Sequence, residues 1–491
     1  MVTGGRSKLG WALWGVGWLL KIGFALAAVL LPLAGVWIAS SLAAHRDGPV
    51  WASIVAGTLC FPVLPLGWDL WARWRRRRRG DLRRPVLTAF DRLVLRTLAI
   101  NLVFVGSLLS LFPGSVYEAL STRGDWMLQG SSAPWAEGLR SSLFGTAERM
   151  RWLHEATHDN AYEDLIDPSL THARDESVAP VAGDTTPRPL PIEPSAPAVS
   201  PGDLYRADGW PFAPTLHPAV VGLPPESETS ISAVAAYLVA QEPDPVQRIK
   251  ALHDYVADRV AYDVPSYLAG EYPPQDAETV FHRRTSVCAG YATLLAALGQ
   301  AAGIEIVVVV GDARGDDGLF EGQGHAWNAV NLDGRWYLID ATWDAGSVNG
   351  DRFVKDYSAH YLLTPPEVFV ATHMPDDPKW QLLPAPLSHG DFLRLPHLRP
   401  DFAALDLRLL EPTRARYAVS VGDELTLRFA NPHAFRLSGS VRLPDADQGE
   451  RCETDDSRTT MTCAFPEHGR RQLLLFGPEG VYLGQLYVDV G

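Results

Sequence analysis

The sequence predicts a multi-domain membrane protein, with N-terminal transmembrane helices, an α+β core domain and a C-terminal all-β sandwich. Three observations carry this. The first 113 residues hold three apolar runs in which arginine is the main charge. From about residue 230, apolar positions at helical spacing give way to β-branched runs. From about Leu387, short alternating runs are divided by turn residues. At 491 residues the chain exceeds one ordinary core, and 47% hydrophobic with 20% charged content excludes a wholly disordered protein. A net charge of −14 argues against a nucleic-acid partner, because phosphate binding needs a basic surface.

Ile22 to Ala44 supplies the ~20 apolar residues that cross a bilayer. Val50 to Ala72 is a second run, broken by Pro62 and Pro65, which a membrane helix tolerates. In the third, Thr97 to Phe112 is clean, and the charged start (Asp91, Arg92, Arg96) is expected to snorkel. A first run of this length with another close behind argues against a cleaved signal peptide. Arg73, Arg75 to Arg79, Arg83 and Arg84 can bind anionic lipid or nucleic acid, but between two spans they fit a positive-inside loop. Arg6, Lys8 and Lys21 put the N-terminus on the same side, so three crossings place the rest on the extracytoplasmic, or periplasmic, side. The expected divisions are a membrane anchor (1–113), a membrane-proximal segment and linker (114–203), a core domain (204–385) and the sandwich (386–491). Trp126, Trp135 and Trp152 belong near the interface, and Glu176 to Pro201 is Pro/Ala/Ser-rich and cannot bury a core.

The core domain opens with a helix over Ser230 to Gln241. Asp244 then caps a second, with Pro245 at its first position and Ile249, Leu252, Tyr255, Val256 and Val260 on one face. A short helix spans Asp276 to Arg283. Ser286 is the expected cap of a helix that stops at Ala302-Gly303, which puts Cys288 in its first turn. Ile304 to Val310 reads as a buried strand. Ala326 to Leu332 and Arg335 to Ala341 form a hairpin across Asp333-Gly334.

The four cysteines lack metal-ligand spacing, and no metal or cofactor is expected. Cys60 sits in an apolar run. Cys452 and Cys463 can form a disulfide or stay apart; an oxidising exterior favours pairing. Cys288 is left for chemistry. A thiol is a poor nucleophile until it loses its proton, and the first turn of a helix favours the thiolate while offering N–H groups to an oxyanion. A two-residue loop at Asp333-Gly334 puts Trp327 opposite Asp340 and His325 opposite Thr342. His325 and Asp340 then lie diagonally on one face, with Cβ atoms about 6–8 Å apart. That is a nucleophile, a base and a group to orient the base. Each residue also has a plain role, as packing, a hydrogen-bonded strand histidine or a turn cap; their coincidence is what points to chemistry. Trp327, Tyr291 and Trp343 are candidates for a substrate cleft. Asp312, Asp316, Asp317 and Glu321 read as a solvated loop rather than a Ca²⁺ site, and His282, His360 and His373 show no partner.

Val287-Cys288-Ala289-Gly290-Tyr291, Gly324-His325-Ala326-Trp327-Asn328 and the stretch from Gly334 through Asp340 to Trp343 resemble the three core blocks of the transglutaminase-like superfamily. His360 to Pro366, His373-Met374-Pro375 and Lys379 to Leu383 resemble its kyphoscoliosis-peptidase and cytokinesis-protein branch. The resemblance implies a papain-like α+β fold with Cys288 as nucleophile, His325 as base and Asp340 as orienter. It implies acyl transfer or hydrolysis of a protein or peptide amide, cell-envelope peptide included, through a thioester. Ser286 departs from the glycine many members carry there. A non-catalytic, membrane-tethered adaptor with the same fold is the alternative.

Overall fold

The computed structural model describes residues 8–46, 48, 50–79, 87–128, 131, 133–157, 160–172, 207–315, 323–444, 446 and 448–491. They fall into two compact units, Met1–His158 and Asp159–Gly491. The Pro-rich linker over Glu176 to Pro201, and Arg6, Arg83, Arg84, Asp316, Asp317 and Glu321, lie outside the described residues.

The first unit is helical: α1 (Lys8–His45), α2 (Val50–Thr58), α3 (Leu64–Arg78), α4 (Ala89–Leu111), α5 (Pro113–Arg123), α6 (Pro134–Glu148) and α7 (Trp152–Glu155). Three stretches are long and apolar enough to cross a membrane: Leu20–His45, Trp51–Arg78 and Ala89–Leu111. The second is interrupted over Leu59–Val63 around Pro62, and Asn101 of α4 donates to the Cys60 carbonyl there (3.2 Å). The charged start of the third is not left to snorkel. Buried Asp69 of α3 pairs with Arg96 and with Arg92 (3.3 Å), and Arg73 one turn on takes its other oxygen (2.5 Å). One buried carboxylate is thus shared among three arginines of α3 and α4. The unit also runs past residue 113, because Val116, Tyr117 and Leu120 of α5 cluster with Ile38 and Val105. Trp135 and Trp152 are exposed, whereas Trp126 donates to Ser40 Oγ (3.0 Å).

The second unit begins with α8 (Pro218–Val221), α9 (Ile231–Gln241), α10 (Pro245–Arg259), β1 (Ala261–Tyr262), α11 (Val264–Ala269), α12 (Ala277–Arg283), β2 (Thr285–Ser286) and α13 (Cys288–Ala302). There follow β3 (Ile306–Ala313), β4 (Gln323–Leu332), β5 (Arg335–Ile339), α14 (Ala341–Ala345), the β6–β7 hairpin (Gly346–Asn349, Arg352–Lys355), α15 (Pro366–Phe369) and β8 (His373–Pro375). Side chains of Ser230, Asp244 and Asp276 cap α9, α10 and α12. The cap of α13 differs from expectation. Thr285 pairs with Ala261 in a parallel bridge, which holds Ser286 extended, so the cap position falls to Val287 and has no side-chain bond. Ser286 Oγ instead donates to Gln275 Oε1 (3.1 Å). The helix stops at Gly303, in the left-handed region at φ 74°.

α13 lies almost wholly buried on an antiparallel sheet of order β5-β4-β3-β8. Asp333 (φ 52°) and Gly334 (φ 81°) make the two-residue turn, with Leu332 opposite Arg335 and Asn328 opposite Ile339. β5 ends at Ile339, two residues before the expected limit, because Asp340 turns the chain into α14. Asp312 belongs to β3 and is buried, not part of a solvated loop.

The C-terminal region opens with α16 (His389–Arg394), β9 (His397–Leu398) and α17 (Pro400–Ala404) before its strands begin. These are β10 (Arg408–Glu411), β11 (Arg416–Val419), β12 (Glu424–Ala430), β13 (Ser438–Arg442), β14 (Glu450–Arg451), β15 (Glu453–Thr454), β16 (Thr460–Ala464), β17 (Gly469–Phe476) and β18 (Tyr482–Val490). One sheet runs β10-β12-β16-β15 and the other β11-β18-β17-β13-β14, with β9 beside β18. Leu427, Phe429 and Met461 of the first share a core with Val441, Leu473, Leu486 and Val488 of the second. A disulfide joins Cys452 to Cys463.

β8 reaches β3 only because residue 311 is glycine. A Cβ there would sit 2.2 Å from the Met374 carbonyl and 2.6 Å from Pro375 Cα. Gly311→Ala should therefore destabilise the protein by about 1–3 kcal/mol, read as a lower denaturant midpoint. An unchanged midpoint would mean that β8 is not held against β3.

Candidate active site

The site gathers where α13 begins, where β4 begins and where β5 ends. Cys288 is the first residue of α13, and the cap residue before it, Val287, offers no side-chain bond to the N–H groups of that turn. His325 stands near the start of β4, its backbone opposite Gly311 of β3. Asp340 is the cap of α14: its Oδ1 accepts from Thr342 N (2.9 Å) and Trp343 N (3.3 Å). Its Oδ2 accepts from His325 Nε2 at 2.8 Å. With Nε2 taken by the carboxylate, the bond that His325 shares with the Cys288 thiol falls to Nδ1.

The electrostatics follow from burial and pairing. Burial alone would lower the His325 pKa. The negative charge of Asp340 and then of Cys288, with hydrogen bonds to both, outweighs that effect and raises it to about 10. Burial would likewise push the Asp340 carboxyl up, but the His325 charge and hydrogen bonds from His325 and His373 hold it well below the usual range. The site thus favours an imidazolium held against the Asp340 carboxylate.

Sequence reasoning placed the three principal groups in one region but missed others. His373 of β8 lies 3.2 Å from Asp340 Oδ2, a partner no local pattern announces. One nitrogen each of His325 and His373 and one carboxylate oxygen of Asp340 lie within 4.8 Å of one another, a spacing a metal can bridge. All three are already engaged in these hydrogen bonds, so none is assigned as a ligand. Asn160, upstream of the linker, donates to the Gly311 carbonyl (3.0 Å) and reaches that of His325 (3.5 Å). Two residues on, buried Tyr162 and its neighbour Tyr262 face Cys288; burial and the Cys288 charge raise both hydroxyls. Cys288 itself is 1% exposed.

The cleft candidates divide. Tyr291 is a core residue whose hydroxyl donates to the Val260 carbonyl (2.8 Å), and Trp327 is buried among Val309, Tyr361 and Phe369. Both lie on inward-facing positions of α13 and the sheet, which removes them from a cleft wall. Trp343 remains half-buried, 5.4 Å from the His325 ring. His360 pairs with Asp401 (3.1 Å), and exposed His282 lies 3.8 Å from Glu278.

Behind the site, His253 of α10 is fully buried between Asp254 (2.9 Å) and Asp344 of α14. Its Nε2 lies 3.1 Å from Asp344 Oδ2, an ion-pair distance without hydrogen-bond alignment. Burial would lower its pKa, but the hydrogen bond to Asp254 and the negative charges of Asp344 and Asp254 raise it to about 9. Asp344 also accepts from the Tyr361 backbone N–H (3.0 Å) and Ser358 Oγ (2.6 Å), so α14 is tied down four residues after Asp340.

A helix that starts at a buried cysteine and lies on an antiparallel sheet carrying the paired histidine and aspartate defines a transglutaminase-like domain. Residues 232–341 match the family model of the transglutaminase-like superfamily. Within that superfamily the chain is similar to the kyphoscoliosis peptidases. The chain is 31% identical over 173 residues to kyphoscoliosis peptidase of Mus musculus, covering 34% of this chain and 26% of that protein. For the Homo sapiens protein of the same name the values are 29% over 174 residues, again 34% and 26%. A Lim and transglutaminase domain protein of Caenorhabditis elegans is 32% identical over 141 residues, 25% of this chain and 19% of that protein. The chain thus spans about a quarter of the length of the kyphoscoliosis peptidases it matches. The crystal structure of a TGase aligns with 28% of this chain and 37% of that chain at 22% identity, with a TM-score of 0.21, too low to bear on the fold.

The raised histidines set an alkaline limit on stability. Each contributes fully below an unfolded pKa of about 6.5, and the contribution is lost as pH rises through about 9 for His253 and about 10 for His325. Thermal midpoints should fall across that window. His325→Gln, which keeps a donor but cannot titrate, should flatten its upper part; an unaltered profile would contradict the charge assignment.

Proposed function

We propose that the chain is a membrane-anchored, extracytoplasmic cysteine enzyme that transfers or hydrolyses the acyl group of a protein or peptide amide through a Cys288 thioester. The observation that carries this reading is the buried row of Cys288, His325 and Asp340, with His325 Nε2 2.8 Å from the carboxylate and its other face toward the thiol. The Cys288 sulfur adds to the amide carbonyl, and the N–H groups at the start of α13 receive the oxyanion. His325 gives its proton to the departing amine, then takes one from the water or amine that resolves the thioester. Asp340 holds the ring and offsets its charge. Two relatives are named peptidases, which favours hydrolysis among these outcomes.

The orientation rests on Arg75 to Arg79 and the N-terminal basic residues as a cytoplasmic set. The Cys452–Cys463 disulfide suits an oxidising exterior. Substrates on that side are proteins or cell-envelope peptides, the membrane is met through the N-terminal helices, and no nucleic acid is bound. An adaptor is the second reading. It is favoured by one observation, the 1% exposure of Cys288 beside Tyr162, which demands an opening before any substrate enters.

An electrophilic probe on intact cells, followed by peptide mass spectrometry, separates the two. The enzyme reading expects an adduct at Cys288 that forms about 10²-fold or more slowly in His325→Ala. Labelling no faster than a free thiol, and indifferent to His325→Ala, would leave the adaptor.

A further inference from the structure

We propose that His373 is a positioning residue of this site: a neutral imidazole that donates Nε2–H to Asp340 Oδ2 and so holds the carboxylate for His325. The inference rests on the catalytic reading above and adds to it a group that never touches the substrate.

Geometry supports it from both ends of the ring. His373 Nε2 lies 3.2 Å from Asp340 Oδ2, the oxygen that also receives His325 Nε2 at 2.8 Å. His373 Nδ1 lies 2.9 Å from Thr372 Oγ1. A carboxylate accepts and cannot donate, so the ring must carry its proton on Nε2, and the Thr372 hydroxyl donates to Nδ1. The ring is 1% exposed, stacked on Phe369 at 4.1 Å and 27°, with Trp343 at 4.5 Å and the edge of Trp327 at 5.1 Å. This wall leaves the imidazole no second orientation and keeps water from replacing it. Burial lowers its pKa to about 4, against the pull of Asp340, so the ring remains neutral where His325 is charged.

Two histidines on one oxygen are not equivalent. His325 can surrender its proton toward the reaction; His373 can only donate and stay. With Thr342 N and Trp343 N on Oδ1, His373 completes a set of four donors around Asp340, so the carboxylate cannot turn. Sharing Oδ2 also moderates the pull of Asp340 on the His325 proton. The other titratable groups facing this pair are Cys288 and Tyr291 of α13, the latter bonded to the Val260 carbonyl, with Tyr162 and Tyr262 facing the sulfur and Tyr361 against the His373 ring. None of them replaces the donor that His373 supplies.

The test is the pH profile of Cys288 alkylation by iodoacetamide in the full-length protein in detergent, with the adduct quantified at the Cys288 peptide. In His373→Phe, the carboxylate serves His325 alone, and the alkaline limb should move upward by on the order of half a pH unit. His373→Gln, whose amide N–H can reach the same oxygen, should restore the wild-type profile, whereas His373→Asn, too short to do so, should behave like Phe. Should the Phe variant not fold, the contrast between Gln and Asn decides alone. Profiles for Phe and wild type that superimpose, or Gln and Asn that shift equally, would overturn the positioning role. A wild-type profile indifferent to His325→Ala would instead remove the catalytic reading and this inference with it.

Discussion

The structure of the site depends on one interaction, the bond between a fully buried carboxylate and a buried histidine. A lone carboxylate at Asp340 would be far too costly to keep ionised away from water. Four donors make it tolerable, two from the first turn of α14 and two from imidazoles. The charge that Asp340 retains then keeps His325 protonated next to Cys288. Removing the carboxylate would leave the ring buried without a counter-charge, and burial would discharge it.

Much of the domain serves to fix that carboxylate. Asp340 sits between β5, which the hairpin registers against β4, and α14, which His253 and Asp254 anchor to α10 through Asp344. The same backbone nitrogens that cap onto Asp340 therefore belong to a helix held from below by a second buried charge network. β8 closes the other side, and its close approach to β3 at Gly311 brings His373 within reach.

How far this was legible in the sequence follows from the range of each contact. The turn at Asp333-Gly334 demands two left-handed residues, so the register, and with it the proximity of His325 and Asp340, could be worked out from local chemistry. The start of α13 was legible to within one residue; Ser286 looked like its cap because the pairing of β2 with β1 leaves no local trace. His373 stands 33 residues from Asp340, and Asn160 stands 165 from His325, and neither distance carries a periodic signal. Trp327 and Tyr291 were misplaced for a related reason: residue type suggests an aromatic cleft, but only packing tells which face is filled. In the membrane helices, Arg92 and Arg96 read as surface charges until Asp69 supplied their partner.

The most direct measurement is a nitrogen-15 NMR titration of the His325 ring in the purified protein. A buried carboxylate bonded to Nε2 predicts that both ring nitrogens stay protonated through neutrality and release a proton only near pH 10. A ring that titrates at or below the ordinary histidine value of about 6.5 would contradict the charge pairing on which the site depends.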